Sequence, residues 1–83
     1  MSSHGRTHAC TLYVGGFGSA IAAPELRELL ARHGAVRDLR LVDRGEASFA
    51  YVTYELEDEA EAARRQLDGL RLAGCTLRVA RAR

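Results

Sequence analysis

The chain of 83 residues has a formal net charge of +1, with 47% hydrophobic and 28% charged residues. A chain this short forms one small domain, which excludes two-domain enzymes and long solenoid arrays, and its composition is that of an ordered domain. No apolar run approaches the roughly 18 residues of a membrane span, and the first residues lack the apolar segment of a secretory signal. We therefore expect an intracellular protein that does not enter membranes.

The first third of the chain is predicted to contain a leader, a strand and a helix. Residues 1–9 are small and polar, so we expect a flexible leader. Thr11–Val14 alternates in polarity and is followed by a glycine-rich segment, which predicts a first strand and a turn. Pro24–His33 carries apolar residues at helical spacing, with proline in the first turn, which predicts a helix. Gly34 is expected at the C′ position that ends this helix.

The rest of the chain is predicted to contain a hairpin, a second helix and a last strand. Strands are expected at Val36–Val42 and Ala47–Tyr54, and the polar residues Asp43–Glu46 between them predict a hairpin loop. A second helix is expected to begin at the acidic Glu55 and to end at Gly69. The last predicted strand covers residues 75–79.

The resulting order, βαββαβ, is typical of the α+β ferredoxin-like fold. In that fold a four-stranded antiparallel sheet of order 4-1-3-2 has two helices on one face and leaves the other face open. We expect the domain to cover residues 10–80 and a basic tail to cover residues 81–83.

Strand alternation places three aromatic side chains on the open face. Tyr13 lies on the first strand, and Phe49 and Tyr51 lie on the third, so the three rings should cluster in the middle of the sheet. An exposed aromatic cluster indicates a binding partner. Rings surrounded by arginines suit single-stranded RNA, because bases stack on rings and guanidinium groups pair with phosphates. All 12 basic residues are arginines, which either a coding bias or a need for planar contacts would explain.

The predicted RNA-binding residues are three rings and five arginines. Tyr13 and Phe49 are expected to stack on successive bases, and Tyr51 to pack against a sugar or another base. The alternatives are that one or more rings pack under a terminal helix or a partner protein, and that the arginines are ordinary solvated side chains of the sheet, the loop and the tail. The complete set is Tyr13, Phe49, Tyr51, Arg40, Arg44, Arg78, Arg81 and Arg83.

Two segments resemble the signatures of the RNA recognition motif family. Leu12–Phe17 is similar to the shorter signature, and Ala47–Tyr54 is similar to the longer one, in which three aromatic residues alternate after a basic residue and a glycine. The resemblance covers residues 11–80 and implies the ferredoxin-like fold and a single-stranded RNA ligand. The chain departs from the family pattern at four positions. Gly16 stands where asparagine is usual, and His33 stands where an aromatic residue is usual. Ala47 replaces a basic residue, and Ser48 replaces a glycine. The change at Ala47 removes one expected phosphate contact.

A narrower resemblance concerns the short loop after the second strand and the approach to the last strand at Leu72–Cys75. Both are similar to the RNA recognition motifs of SR-type splicing factors. This resemblance implies a role in pre-mRNA processing and a nuclear location. We also expect a monomer. The arginine/serine-rich tail of those proteins does not follow the domain in this sequence.

The alternative function is a protein-interaction module on the same scaffold. It would use the sheet face or the second helix, where Glu55–Glu61 carries five acidic residues that could bind a basic segment. Most of this charge is also explained by the favourable interaction of acids with a helix N-terminus.

Neither catalysis nor a cofactor is expected. The sequence has no convincing arrangement of nucleophile, base and acid, and the glycines of residues 15–18 do not complete a dinucleotide-binding motif. His4, His8 and Cys10 have a spacing compatible with metal ligands but lack a fourth ligand, so no metal site is predicted. Cys10 and Cys75 precede neighbouring antiparallel strands at opposite ends, and we expect two free thiols.

Overall fold

The computed structural model describes residues 10–82, so the predicted leader, with His4 and His8, and Arg83 lie outside the described residues. Two helices and six strands occur in this part of the chain. No helix within it has the length and apolar character needed to cross a bilayer. In chain order the elements are β1 (Thr11–Gly15), α1 (Ala23–Ala31), β2 (Val36–Val42), a 3₁₀ turn (Gly45–Ala47), β3 (Phe49–Tyr54), α2 (Glu57–Leu67), β4 (Arg71–Leu72), β5 (Cys75–Thr76) and β6 (Arg78–Arg81).

The main sheet is antiparallel and has the order β2-β3-β1-β6. This order confirms the predicted ferredoxin-like topology, with the last strand beside the first. Both helices pack on the same face of the sheet, because side chains from each share one buried cluster with alternate residues of the central strands. The fully buried members with the largest side chains are Tyr54, Phe17, Leu12, Leu26, Leu30, Leu67, Leu77, Val14 and Val52.

Both helices begin with half of a capping box. The backbone N–H of Ala22 donates to the Glu25 carboxylate at 3.1 Å, and that of Leu56 donates to Glu59 at 3.2 Å. These bonds satisfy donors that a helix start leaves without intrahelical partners. They also explain why α2 begins at Glu57, two residues later than the sequence prediction.

The first helix ends earlier than predicted. It stops at Ala31, and the N–H groups of Arg32 and His33 bond to carbonyls three residues back, at 3.3 and 3.2 Å. This tightening closes the last turn without a glycine at C′. The prediction that Gly34 occupies C′ is therefore wrong.

The last strand is the largest departure from the prediction. Cys75–Thr76 pairs with Arg71–Leu72 in a small separate hairpin, and the strand that joins the main sheet runs from Arg78 to Arg81. Ala73 and Gly74 both have positive φ, 54° and 79°, which is the conformation of a tight hairpin turn. The predicted strand over residues 75–79 therefore combined the end of a hairpin with the start of a sheet strand.

The loop before β3 also differs from the prediction. A 3₁₀ turn at Gly45–Ala47 replaces part of the expected hairpin loop, and β3 begins at Phe49 rather than at Ala47. The buried hydroxyl of Ser48 accepts a hydrogen bond from the Arg44 N–H at 2.8 Å and can donate to the Gly45 carbonyl, also at 2.8 Å. These bonds hold the chain in a compact turn at the end of the open face.

Tyr54 joins β3 to α1 through a buried hydroxyl. Its OH donates to the Leu30 carbonyl at 2.6 Å, and burial, with a smaller contribution from Glu59, raises the pKa of Tyr54 to about 12. Tyr54→Phe is expected to lower the free energy of unfolding by about 1–2 kcal/mol at neutral pH, because the carbonyl loses a buried donor. Urea unfolding of both proteins checks this.

The same hydrogen bond predicts that the stability of the domain depends on pH. The folded state favours the neutral phenol, so this contribution to stability is fully present below the unfolded pKa near 10 and is lost as pH rises towards about 12. The stability difference between wild type and Tyr54→Phe should therefore shrink above pH 10. A difference that stays constant up to pH 11.5 would contradict the assigned burial.

Candidate nucleic-acid interface

The open face of the sheet, which is the face away from the helices, is organised in rows across the strands. Residues paired directly across strands share a face. Arg40 pairs with Tyr51, Tyr51 with Tyr13, and Tyr13 with Ala80, which makes one row across all four strands. This row alternates with buried residues such as Leu12, and both tyrosines lie in it.

A second row lies beside the first. Val42 pairs with Phe49, and Gly15 pairs with Arg78. The register that pairs Val14 with Ala50 also places Gly15 next to Phe49. Arg44 lies two residues beyond the end of β2, in the loop that leads to β3, and is exposed.

The three rings form one cluster of Tyr13, Phe49 and Tyr51, here called the ring cluster. Their centroids lie 5.7–6.0 Å apart, which is the range of favourable aromatic contacts. Tyr13 and Phe49 are tilted by only 35° from each other, whereas Tyr51 stands at 63° and 85° to them. Tyr51 is 38% exposed, and the other two rings are partly exposed.

Gly15 makes room for one of these rings. A Cβ atom at this position would overlap the phenol end of Tyr13, which lies over the Gly15 backbone. The absent side chain lets the Tyr13 ring extend along its own strand towards Phe49. The sequence pattern indicates only a turn at Gly15, and it gives no signal for the contact of Gly15 with Tyr13.

The opposite end of the open face is polar and acidic. Thr11 pairs with Thr53, and their hydroxyl groups lie 2.9 Å apart. Asp38 pairs with Thr53 after a bulge at Arg37, so its exposed carboxylate shares a face with Arg40. The prediction omitted Asp38, although its spacing of two residues from Arg40 was a sufficient signal. This carboxylate would repel a phosphate group.

Of the predicted arginines, three accompany the ring cluster and one does not. Arg40, Arg44 and Arg78 are exposed on or beside the open face. Arg81 pairs with the buried Leu12, so its side chain points to the helical side, where its Nη2 lies 2.8 Å from the Glu61 carboxylate. Arg81 was expected at the edge of the open face, and the structure places its side chain on the helical side. Arg83 lies outside the described residues.

Glu61 on α2 binds three arginines at once. Its carboxylate lies 2.7 Å from Arg64, 3.2 Å from Arg65 and 2.8 Å from Arg81. The hydrogen bond from Arg64, followed by that from Arg81, holds the pKa of Glu61 far below its usual value. This network connects α2 to β6 on the side of the domain away from the ring cluster.

Among residues 10–82 no group of three or more histidine, cysteine or acidic side chains is placed to bind a metal. Cys10 is buried and Cys75 is partly buried, and both are free thiols. The Cys75 Sγ lies 3.4 Å from the Phe17 carbonyl oxygen.

Comparison with known proteins points to one family. The family model described as the RNA recognition motif matches residues 12–78. RNA-binding protein 1 of Drosophila melanogaster is 39% identical over 71 residues, which cover 86% of this chain and 49% of that protein. A probable splicing factor of Caenorhabditis elegans, arginine/serine-rich 6, is 41% identical over 68 residues, which cover 82% of this chain and 37% of that protein. The chain thus spans half or less of the length of these curated relatives.

A solved structure supports the same architecture. The structure of the Mip6 RRM3 domain superposes with a TM-score of 0.83 and 19% sequence identity, covering 92% of this chain and 95% of that one. At this identity the likeness shows the fold alone.

Proposed function

The chain belongs to the RNA recognition motif family, and we propose that it binds single-stranded RNA on the open face of its sheet. The ring cluster carries this proposal. Three aromatic rings in mutual contact on a solvent-facing sheet offer stacking surface that the fold itself does not need, because the core lies on the opposite face.

The ring angles support a division of roles. Tyr13 and Phe49 are the most nearly parallel pair, so bases stacked on them can lie roughly parallel to each other. The Tyr51 ring is almost perpendicular to the Phe49 ring and offers a surface against which a sugar can pack. Two or three stacked bases contribute roughly 3–9 kcal/mol before ordering costs. We therefore expect a dissociation constant on the order of micromolar.

The charges on the open face support a path for the RNA backbone. Arg78 and Arg44 lie at one end, Arg40 lies beside Tyr51, and Asp38 lies at the other end. Phosphates would follow the arginines and avoid the carboxylate. Three arginines therefore supply the phosphate contacts, and the domain achieves this without a basic residue at Ala47.

The names of the relatives support a role in RNA processing. Because one relative is named as a probable splicing factor and another as an RNA-binding protein, we propose a role in RNA processing, in the nucleus, without catalysis. Protein interaction through the acidic helix is less favoured, since Glu61 is already neutralised by three arginines within the domain.

Salt dependence tests the phosphate contacts. With three contacts to a single strand, log K for a short RNA should fall with log salt at a slope near −2, since each contact contributes about −0.7. Fluorescence anisotropy of a labelled RNA between about 50 and 300 mM salt measures the slope. Arg40→Gln should reduce its magnitude by about 0.7, and a wild-type slope near zero would contradict the proposed contacts.

The two arginines of β6 form a matched pair for a second test. Arg78→Gln should weaken RNA binding roughly three- to tenfold, because Arg78 lies on the open face. Arg81→Gln should leave the affinity within about twofold of wild type, because Arg81 is bonded to Glu61 on the helical side. Equal losses in both variants would show that the RNA reaches around the sheet edge.

A further inference from the structure

A surface groove lies on the helical side, between α1 and the edge strand β2. Its volume is about 630 Å³. Its apolar lining comes from Ala23, Pro24 and Ala31 of the helix and from Leu39 and Leu41 of the strand. This volume falls in the range of binding clefts rather than of packing defects.

The groove exists because α1 does not cover the edge of the sheet. Leu39 pairs with Val52 and Leu41 pairs with Ala50, so both leucines point to the helical side. Val52 and Ala50 are fully buried there, whereas the two leucines are only partly buried. The helix residues that face these leucines across the groove include the small Ala23 and Ala31, and these leave the gap unfilled.

A second, smaller cavity extends the groove. It measures about 300 Å³ and shares Ala23 and Leu41 with the first. It continues past Phe17 to Asp43 and Ser48, in the loop before β3. The two cavities form an elongated channel along β2, a shape that suits an extended chain segment.

The rim of this channel is mainly acidic. Glu25 and Glu28 border the larger cavity and Asp43 borders the smaller one, while Arg27 is the one basic residue among their described linings. An apolar floor with an acidic rim complements a segment that is apolar in the middle and basic at its ends. The same acidic rim disfavours RNA.

We infer that this channel binds an extended segment of a partner protein, with apolar side chains over Leu39 and Leu41 and basic residues near Glu25 and Glu28. Strand alternation places Arg40 on the opposite face from these two leucines. A peptide in the channel and RNA on the open face would therefore contact the two sides of the same strand without overlap. The inference does not depend on RNA binding.

The test uses three synthetic heptapeptides and backbone amide shifts. The first has four leucines around a central glycine, with an arginine at each end. The second has glutamates at the ends, and the third has serines in place of the leucines. The first peptide should shift amides of residues 23–31 and 39–43, and the other two should bind at least tenfold more weakly.

A matched pair of variants locates the binding site. Ala31→Arg places a bulky positive charge in the groove at an exposed position, and it should weaken binding of the first peptide at least tenfold. Ala62→Arg makes the same change at an exposed alanine of α2 and should stay within twofold of wild type.

Several results would overturn the inference. They are equal binding of the glutamate peptide, shifts confined to other surfaces, or no shifts at millimolar peptide with an intact spectrum. Groove shifts that grow with protein concentration alone would instead identify a second copy of the chain as the occupant. Amide shifts in the groove caused by short RNA would also contradict the inference. A failure of the protein to bind RNA would not affect the inference about the peptide.

Discussion

Replacing Tyr13 and Phe49 together by alanine is expected to weaken binding of a short single-stranded RNA by roughly 30-fold to 10⁴-fold. Each ring supplies about 1–3 kcal/mol of base stacking, so the loss of two rings removes about 2–6 kcal/mol. A micromolar dissociation constant would then rise to between about 30 µM and about 10 mM. Anisotropy or calorimetric titration of both proteins measures the change.

The control for this experiment is Leu56→Ala. Leu56 is also a large apolar side chain, it is 59% exposed, and it lies before α2 rather than on a sheet strand. Its replacement should leave the affinity within about twofold of wild type. Because the ring cluster lies outside the core, circular dichroism should show that the double variant remains folded. A folded double variant with wild-type affinity would contradict the stacking mechanism.

Gly16→Asn, which restores the residue that the family resemblance leads one to expect, should lower the free energy of unfolding by roughly 2–4 kcal/mol. Gly16 has a φ of 84°, and a Cβ there would overlap the backbone carbonyl oxygen of Thr76. Asparagine tolerates this φ better than most residues, so most of the cost comes from the overlap. A backbone oxygen cannot rotate away as a flexible side chain would.

The matched control is Gly69→Asn. Gly69 has nearly the same φ, 85°, but nothing lies within 4 Å of a Cβ added there. Its substitution should therefore cost no more than about 1 kcal/mol, and urea unfolding of both variants separates backbone strain from overlap. Equal losses at the two positions would show that the turn after β1 is free to move away from β5.

The sheet was predictable because alternation is a strong local signal. The positions of Tyr13, Phe49 and Tyr51 followed from the apolar residues between them, and a β-strand has a strict period of two. The break between β5 and β6 was not predictable in the same way. It arises because β5 pairs with β4, through a turn that needs a left-handed conformation at Ala73, which alanine seldom adopts and which no local pattern indicates.

The misplacement of Arg81 followed from the error in the last strand. With the strand ending at Val79, Arg81 fell in a tail without a defined direction. In the observed strand, Arg81 lies two residues after the buried Val79 and therefore shares its face. The groove beside β2 was not predictable for a different reason. It depends on the distance between α1 and the sheet edge, and the periodicity of the sequence does not determine that distance.

The most direct test of the central claim is an amide-shift titration with a pool of short random single-stranded RNA. It should be run on the wild type and on Phe49→Ala/Tyr51→Ala. Shifts clustered on residues 11–15 and 49–54 in the wild type, and absent in the double variant, are the expected result. No shifts at about millimolar RNA with an intact fold, or shifts confined to the helical side, would contradict RNA binding on the open face.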